Sequence, residues 1–561
     1  MRSLLSCNVL AAMLVATSFL IVSTLASAAP PTLTHLFPAG GQRGTKVTVT
    51  CTGAFAWPVK VWAPGLDVVP GKEAGKLDIT IPKDLAADRV WIRLYNAEGA
   101  SAAATFLIDN LKEINEQEPN DDPRTAQVLA DPNVIVNGVL AKAADVDCFA
   151  VRLTAGQTLV AQVDANTRLG SPMDAVLQVT TADGIVLAEN NDDVHLDPRL
   201  TFAPTKSGTY VVRIFAFSST PNTDIRLSGG ANYIYRLTLT TGPFITHAVP
   251  LSAPHDKPGA VEVFGWNLPP KTIVPIVPFG GPKFAEHQEC EILNDLRLPT
   301  ESRLGFAFAP QFAGAARVRL TSHAVVSASA QTDPKKPMAL ALPSSVTGWL
   351  RTPRQIDTFR VPLKKGQQVV VSVESNSLNF PFDPAAQMTD PGGAVVAKAA
   401  DIGPNREAVF SLAAAKDGDY LLTVSDRFRQ GGERFFYRLT VHLEEPDFEL
   451  SVATDALVVM PGKSTELPIK IQRRSGPVGP ITIQAVGLPP GVTAAPVASE
   501  PTGPTAAAVT LKLSTTGPAF SGPIRIVGKA SQPKAIERFA RTAPRLGAVF
   551  ESLWLTVVEK K

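Results

Sequence analysis

Hydrophobic and polar positions alternate with period two through most of the chain, in short runs rich in Val, Leu, Ile and Thr that Pro and Gly interrupt. The run SGTYVVRIFAF (residues 207–217) sets Tyr210, Val212 and Ile214 on one side, with Arg213, Phe215 and Phe217 on the other. PDFELSVATDALVVMPGKSTELPIKIQR (446–473) alternates in the same way. This period predicts antiparallel strands packed on one face. The predicted class is all-β, with about five tandem β-sandwiches in an elongated chain, since 561 residues exceed what one hydrophobic core holds.

The pattern repeats at an offset of about 210 residues, a period found by comparing the chain with itself. NGVLAKAADVDCFAVRLTAGQTLVAQVDA (137–165) aligns with TGWLRTPRQIDTFRVPLKKGQQVVVSVES (347–375), pairing Gly138 with Gly348, Asp147 with Asp357 and Phe149 with Phe359. SGTYVVRI then pairs with DGDYLLTV, and YRLTL with YRLTV. The AGQ and KGQ triplets are expected to turn hairpins. Upstream, LTHLFPAGGQRGTKVTVTCTG (33–53) resembles ITHAVPLSAPHDKPGAVEVFGWNL (245–268), so the repeating unit is a pair of domains. The expected boundaries are 29–110, 111–242, 243–342, 343–445 and 446–561.

EPNDD (118–122), DVDCF, AGQTL, a medial Asp174, TADGIVLAENNDD and SGTYVVRI occur in an order and spacing similar to the bacterial pre-peptidase C-terminal domain, a β-sandwich appended to secreted peptidases and other exported proteins. Residues 116–242 carry the resemblance well, and 343–443 more weakly. Residues 30–110 and 243–340 resemble immunoglobulin-like TIG modules, and 446–558 a bacterial immunoglobulin-like domain.

Composition narrows the function. A net charge of +2, with no basic run interleaved with aromatics, argues against a nucleic-acid partner. The first residues hold Arg2, an apolar stretch and Ala26-Ser27-Ala28, which reads as a secretory signal over 1–28 with a mature chain beginning near Ala29; a retained membrane anchor is the alternative. No later apolar segment is long enough to span a bilayer. Cys51, Cys148 and Cys290 are scattered and odd in number, so they are expected to be buried apolar residues rather than a disulfide framework.

The candidate chemistry begins at EQEPNDDPRTAQ (116–127). The family resemblance implies calcium held by Glu116, Glu118, Asn120 and Asp121 of the linker together with Asp145 and Asp147. Calcium takes six to eight oxygens, and acids two apart in an extended segment point the same way. A helix or turn cap by Asn120 or Asp121, or a solvated acidic linker, would use the same residues. The second copy replaces this linker with DPKKPMALALPSS and Asp145 with Gln355 while keeping Asp357, so one site is expected, and Asp147 could be structural. AENNDD (188–193) is read as a hairpin loop, because its counterpart is AKAAD. Arg213, Phe215 and Phe217 form either a recognition patch or a contact between domains; the last two become Ser425 and Arg427 in the second copy.

Catalytic signatures of the G-x-S-x-G, H-E-x-x-H or Cys/His type are missing from the sequence. MPGKST (460–465) superficially resembles a phosphate loop, but Leu457 stands where its first Gly belongs, and a turn is expected. His35 and His247 recur beside a strand and are assigned to packing or capping, while HQECE around His287 lacks the spacing of a metal helix. The reading is an exported binding or adhesion protein of the envelope, placed in the periplasm, on the surface or in the medium. Its expected partner is a polysaccharide or a protein. The alternative is a peptidase-associated protein or a subunit of an exported hydrolase.

Overall fold

The computed structural model describes residues 29–559 apart from 222, 224, 279–291, 294–302, 329–335, 401–406, 475 and 547. The signal segment, Cys290 and the HQECE run lie outside the described residues. The chain is all-β, and its helical elements are single turns such as Asn166–Leu169. Among the described residues no helix is long and apolar enough to cross a membrane.

Residues 112–240 form two facing five-stranded sheets. One runs in the order Gln127–Val128, Asp147–Leu153, Gly208–Ser218, Met173–Thr181, Val186–Asn190. The other runs Arg199–Phe202, Leu159–Asp164, Ile234–Thr240, Val134–Val139, Lys112–Asn115. Val136, Phe149, Val163, Leu177, Ile214 and Leu237 fill the space between them. Burying so many β-branched and aromatic side chains is the main driving force for the fold. Residues 324–443 repeat this strand order sheet for sheet, from Met338–Ala339 beside Ile356–Leu363 to Ala324–Ser327 beside Ser344–Trp349.

Two sequence expectations need correction. The AGQ and KGQ turns do not close hairpins: Asp147–Leu153 pairs with Gly208–Ser218, whereas Leu159–Asp164 pairs with Ile234–Thr240, so the turn carries the chain from one sheet to the other. Gly156 and Gly366 take positive φ there, and both sides of the turn are buried, a requirement that alternation alone cannot tell from a hairpin. The strands are also not all antiparallel, since Lys112–Asn115 and Gln127–Val128 join their sheets in parallel as the linker docks along two edges.

Residues 35–109 make two four-stranded sheets around Leu36, Val49, Ile79, Ile92 and Phe106. Separate cores gather around Val263, Ile276 and Val318, and around Phe448, Ile469, Leu511 and Ile526. MPGKST is a turn between Ala456–Val459 and Ser464–Arg474, as its Gly462 at positive φ requires. Cys51 and Cys148 are free and buried, and burial pushes each thiol up to about 12.

The first and last regions of the tandem also touch each other. Trp91 packs edge-on against Phe550 at 5.1 Å, Tyr95 lies 4.9 Å from Trp554, and Arg93 pairs with Asp455 at 2.9 Å. These contacts join the first strand region to the last. Between them, Val160 packs with Phe244 and Ala313, and Leu251 with Phe380 and Phe436, so successive regions share small apolar seams.

Candidate functional site

The acidic linker is not free in solvent. Glu116 N donates to Asn137 O at 2.9 Å, and Cys148 N donates to Asn120 O at 3.0 Å, so the segment is tied to both sheets of the first sandwich. This docking brings Glu118, Asp121 and Asp145 together, with a carboxylate oxygen of each within 4.8 Å of the other two.

Asp145 is 0% exposed. Its Oδ2 accepts from Ala141 N at 2.5 Å and from Lys142 N at 3.3 Å, which closes a tight loop with Ala144 in the left-handed region at φ 64°. Its Oδ1 is buried and accepts no hydrogen bond. The Lys142 ammonium lies 3.5 Å from that oxygen and 3.5 Å from Asp121, and the two carboxylates, Asp145 first, hold its pKa up. Lys142 is thus a positive charge at the rim of the cluster, mostly exposed.

Glu116, Asn120 and Asp147 form a second layer. Glu116 accepts from Val139 N at 2.7 Å and lies 3.0 Å from the Tyr235 hydroxyl, which donates its proton to Asp147. Burial first, and then the proximity of the two carboxyls, pushes Asp147 upward, and burial likewise raises Glu116. Asn120, wholly buried, turns its amide nitrogen to Glu118 at 3.2 Å and to Asp147 at 3.1 Å. Asp122 instead caps the turn Pro123–Thr125, accepting from Arg124 N, which is the capping role the sequence left open for its neighbours. The cluster supplies only oxygen donors, several of them anionic, and such a set fits a hard cation rather than zinc. Glu118, Asp121 and Asp145 would hold that ion directly, while Glu116, Asn120 and Asp147 would brace the shell.

Arg213, Phe215 and Phe217 lie together on the outer face of their sheet, half-buried. The Arg213 guanidinium sits 5.7 Å from the Phe215 ring and donates to Gln178 Oε1, and Phe215 meets Phe217 edge-on at 6.3 Å. In AENNDD, Asn190 accepts from Arg199 N at 3.1 Å while Asp193 pairs with Arg199 at 2.5 Å and with Arg434 of the second sandwich. Sequence reasoning missed this role, because Arg434 lies 241 residues away.

With this geometry in view, residues 145–216 match the bacterial pre-peptidase C-terminal domain. The chain is 30% identical over 106 residues to a probable subtilase-type serine protease of Deinococcus radiodurans, covering 19% of this chain and 15% of that protein. The chain therefore spans less than a sixth of the length of this curated relative. Among solved structures, the pre-peptidase C-terminal domain of a Bacillus anthracis collagenase is 16% identical with a TM-score of 0.17, over 20% of this chain and 99% of that one. PliG of Aeromonas hydrophila, a periplasmic inhibitor of g-type lysozyme, is 13% identical with a TM-score of 0.16, over 22% and 100%.

Proposed function

We propose that this chain is an exported, non-catalytic binding protein of the cell envelope, in which calcium orders the first sandwich and the assembled regions recognise a polysaccharide or a protein. Residues 324–443 are read as a second, degenerate pre-peptidase C-terminal domain, two of whose strands precede the expected start at 343, and the common strand order supports this. Residues 29–110, 243–323 and 446–561 are read as immunoglobulin-like modules. The observation that carries the calcium reading is the wholly buried Asp145, whose Oδ1 accepts no hydrogen bond and shares its space with Glu118 and Asp121. A carboxylate in that position needs a cation, and Lys142 meets the need only from the solvent side.

Calorimetry of the full chain with calcium and with chelator tests this. At a hundred times its dissociation constant the ion should stabilise the folded form by roughly 2.7 kcal/mol. Replacing Glu118 and Asp121 together by Ala should abolish that response. Identical transitions with and without the ion would overturn the calcium reading. The match to part of a subtilase-type protease favours a second reading, a chain that works beside a peptidase. Turnover of peptide substrates that one point substitution abolishes would establish catalysis in place of binding.

A further inference from the structure

The regions of the chain meet around a cavity of about 330 Å³, lined from Arg43 in the first region to Leu546 in the last. This volume falls in the range of small-ligand sites. His195, Ser377 and Asn379 are exposed at its rim, so it communicates with solvent. Seven arginines and five carboxylates line it among the described residues, and Asp193 and Glu374 stand behind three of those arginines. These two carboxylates, behind the wall, each bridge two arginines: Asp193 between Arg199 and Arg434, and Glu374 between Arg319 and Arg438. One carboxylate cannot neutralise two guanidiniums, so the Asp193 bridge leaves a positive charge over. Asp88 bridges Arg168 and Arg317 in the same way, and Asp164 also pairs with Arg168.

Arg199 and His247 each bring to this wall a buried polar atom without a hydrogen-bond partner. Arg199, its side chain 8% exposed, has an Nε–H that finds no acceptor. His247 supplies the complementary atom. Thr246 Oγ1 donates its single proton to Phe264 O at 3.0 Å, so toward His247 Nδ1 at 2.9 Å it can only accept. The ring proton therefore sits on Nδ1, and Nε2 is a bare, buried lone pair without a donor. Burial, and then the charges of Arg434 and Arg199, hold this imidazole neutral, down to about 3. Phe380 and Leu378 give the cavity an apolar side next to His247.

We propose that this cavity binds a carboxylated sugar unit, with the carboxylate against Arg199 and Arg434 and a ring hydroxyl donating to His247 Nε2. An acid without hydroxyls leaves the imidazole unsatisfied, and a neutral sugar leaves the arginines so. The C–H face of a pyranose suits Phe380. The inference rests on the reading of the chain as a binding protein and is independent of calcium.

Isothermal titration of the full chain with galacturonate, galactose and acetate tests it. Galacturonate should bind saturably at one site, with galactose and acetate at least about tenfold weaker, the value of one lost charged hydrogen bond. His247→Phe keeps a ring among Phe264, Phe380 and Phe436 while removing the acceptor, and Arg434→Gln removes a partly exposed charge. Each should weaken galacturonate by about tenfold, with melting curves reporting that the variants fold. No saturable binding, equal affinity for galactose, or unchanged affinity in both folded variants would overturn the proposal. If neither variant folds, the comparison of the three ligands on the unmodified chain decides it. A chain that responds to calcium yet ignores galacturonate fails this inference alone, and one that binds galacturonate without a calcium response fails only the calcium reading.

Discussion

The two sandwiches write the same loop in different chemistry. In the first, Asp145 accepts from Ala141 N and Lys142 N; in the second, Gln355 Oε1 accepts from Arg351 N at 2.8 Å and Thr352 N at 3.4 Å. Ala144 and Arg354, each just before, take the same left-handed conformation, at φ 64° and 66°. Tyr235 donates to Asp147, and Tyr437 to Asp357. The difference lies in what faces the conserved geometry. Gln355 Nε2 donates to Asp357 Oδ1 at 2.9 Å, so the second loop carries its own donor. Asp145 has none to give, and the first loop gathers Glu118 and Asp121 around it instead. An amide closes the network by itself, whereas a carboxylate leaves it open for a cation.

The largest test of this comparison lies at another matched pair. Asp164 stands opposite Arg236 and Glu374 opposite Arg438 in equivalent registers, but Glu374 alone sits wholly buried between two arginines. Glu374→Ala should cost about 3–5 kcal/mol in denaturant unfolding, because it strands two buried charges. Asp164→Ala should cost clearly less, since Arg168 keeps Asp88. Equal losses would show that the two sandwiches share one electrostatic plan after all.

Calcium comes next, with the roughly 2.7 kcal/mol given above confined to the unfolding of the first sandwich. Hydrogen exchange should slow in the amides of 116–147 and stay unchanged in 343–363. Protection gained in both would erase the contrast.

A smaller effect concerns Asp197 and Glu407, which cap equivalent turns by accepting from the backbone at 165–167 and at 375–377. Burial pushes them up to about 7 and about 8. Each folded value exceeds the unfolded one, so the native chain keeps a proton that the unfolded chain has lost. Stability therefore falls as pH rises from the ordinary carboxyl range through 7 to 8, by on the order of 1–2 kcal/mol per group between pH 6 and 8. Asp197→Asn and Glu407→Gln should each flatten that slope in melts across this interval, and an unchanged slope in both would contradict the assignment.

The smallest change converts one loop into the other. Asp145→Gln should remove the calcium response and leave calcium-free stability within about 1 kcal/mol of the parent or above it. Gln355→Asp sets a carboxylate against Asp357 and should lose roughly 1–2 kcal/mol. Opposite signs for the two exchanges are the expected readout by thermal melts.

The strands, the repeat and the neighbourhood of Asp145 and Asp147 were legible because they depend on local period and on loops a few residues long. The sheet switch at AGQ was not, since a turn between sheets and a turn within one need the same Gly at positive φ. The buried bridges were illegible for a different reason. Asp193 and Arg434 belong to separate sandwiches, and nothing in AENNDD distinguishes an acid that waits for a distant guanidinium from one that faces water. Recurrence with His35 predicts a packing or capping role for His247, and it packs against Phe264, Phe380 and Phe436. Its unfilled lone pair depends on where the proton of Thr246 goes, which the sequence does not show.

The contact of Trp91 with Phe550 and of Arg93 with Asp455 has a mechanical meaning. A row of rigid bodies joined end to end can bend at each joint without consulting the others. Once the last body is fastened to the first, the row becomes a closed linkage, and the angle at any joint is constrained by all the rest. A tilt imposed where the acidic linker docks cannot be absorbed locally. It must be shared around the loop, and the space that every member of the linkage borders changes shape with it.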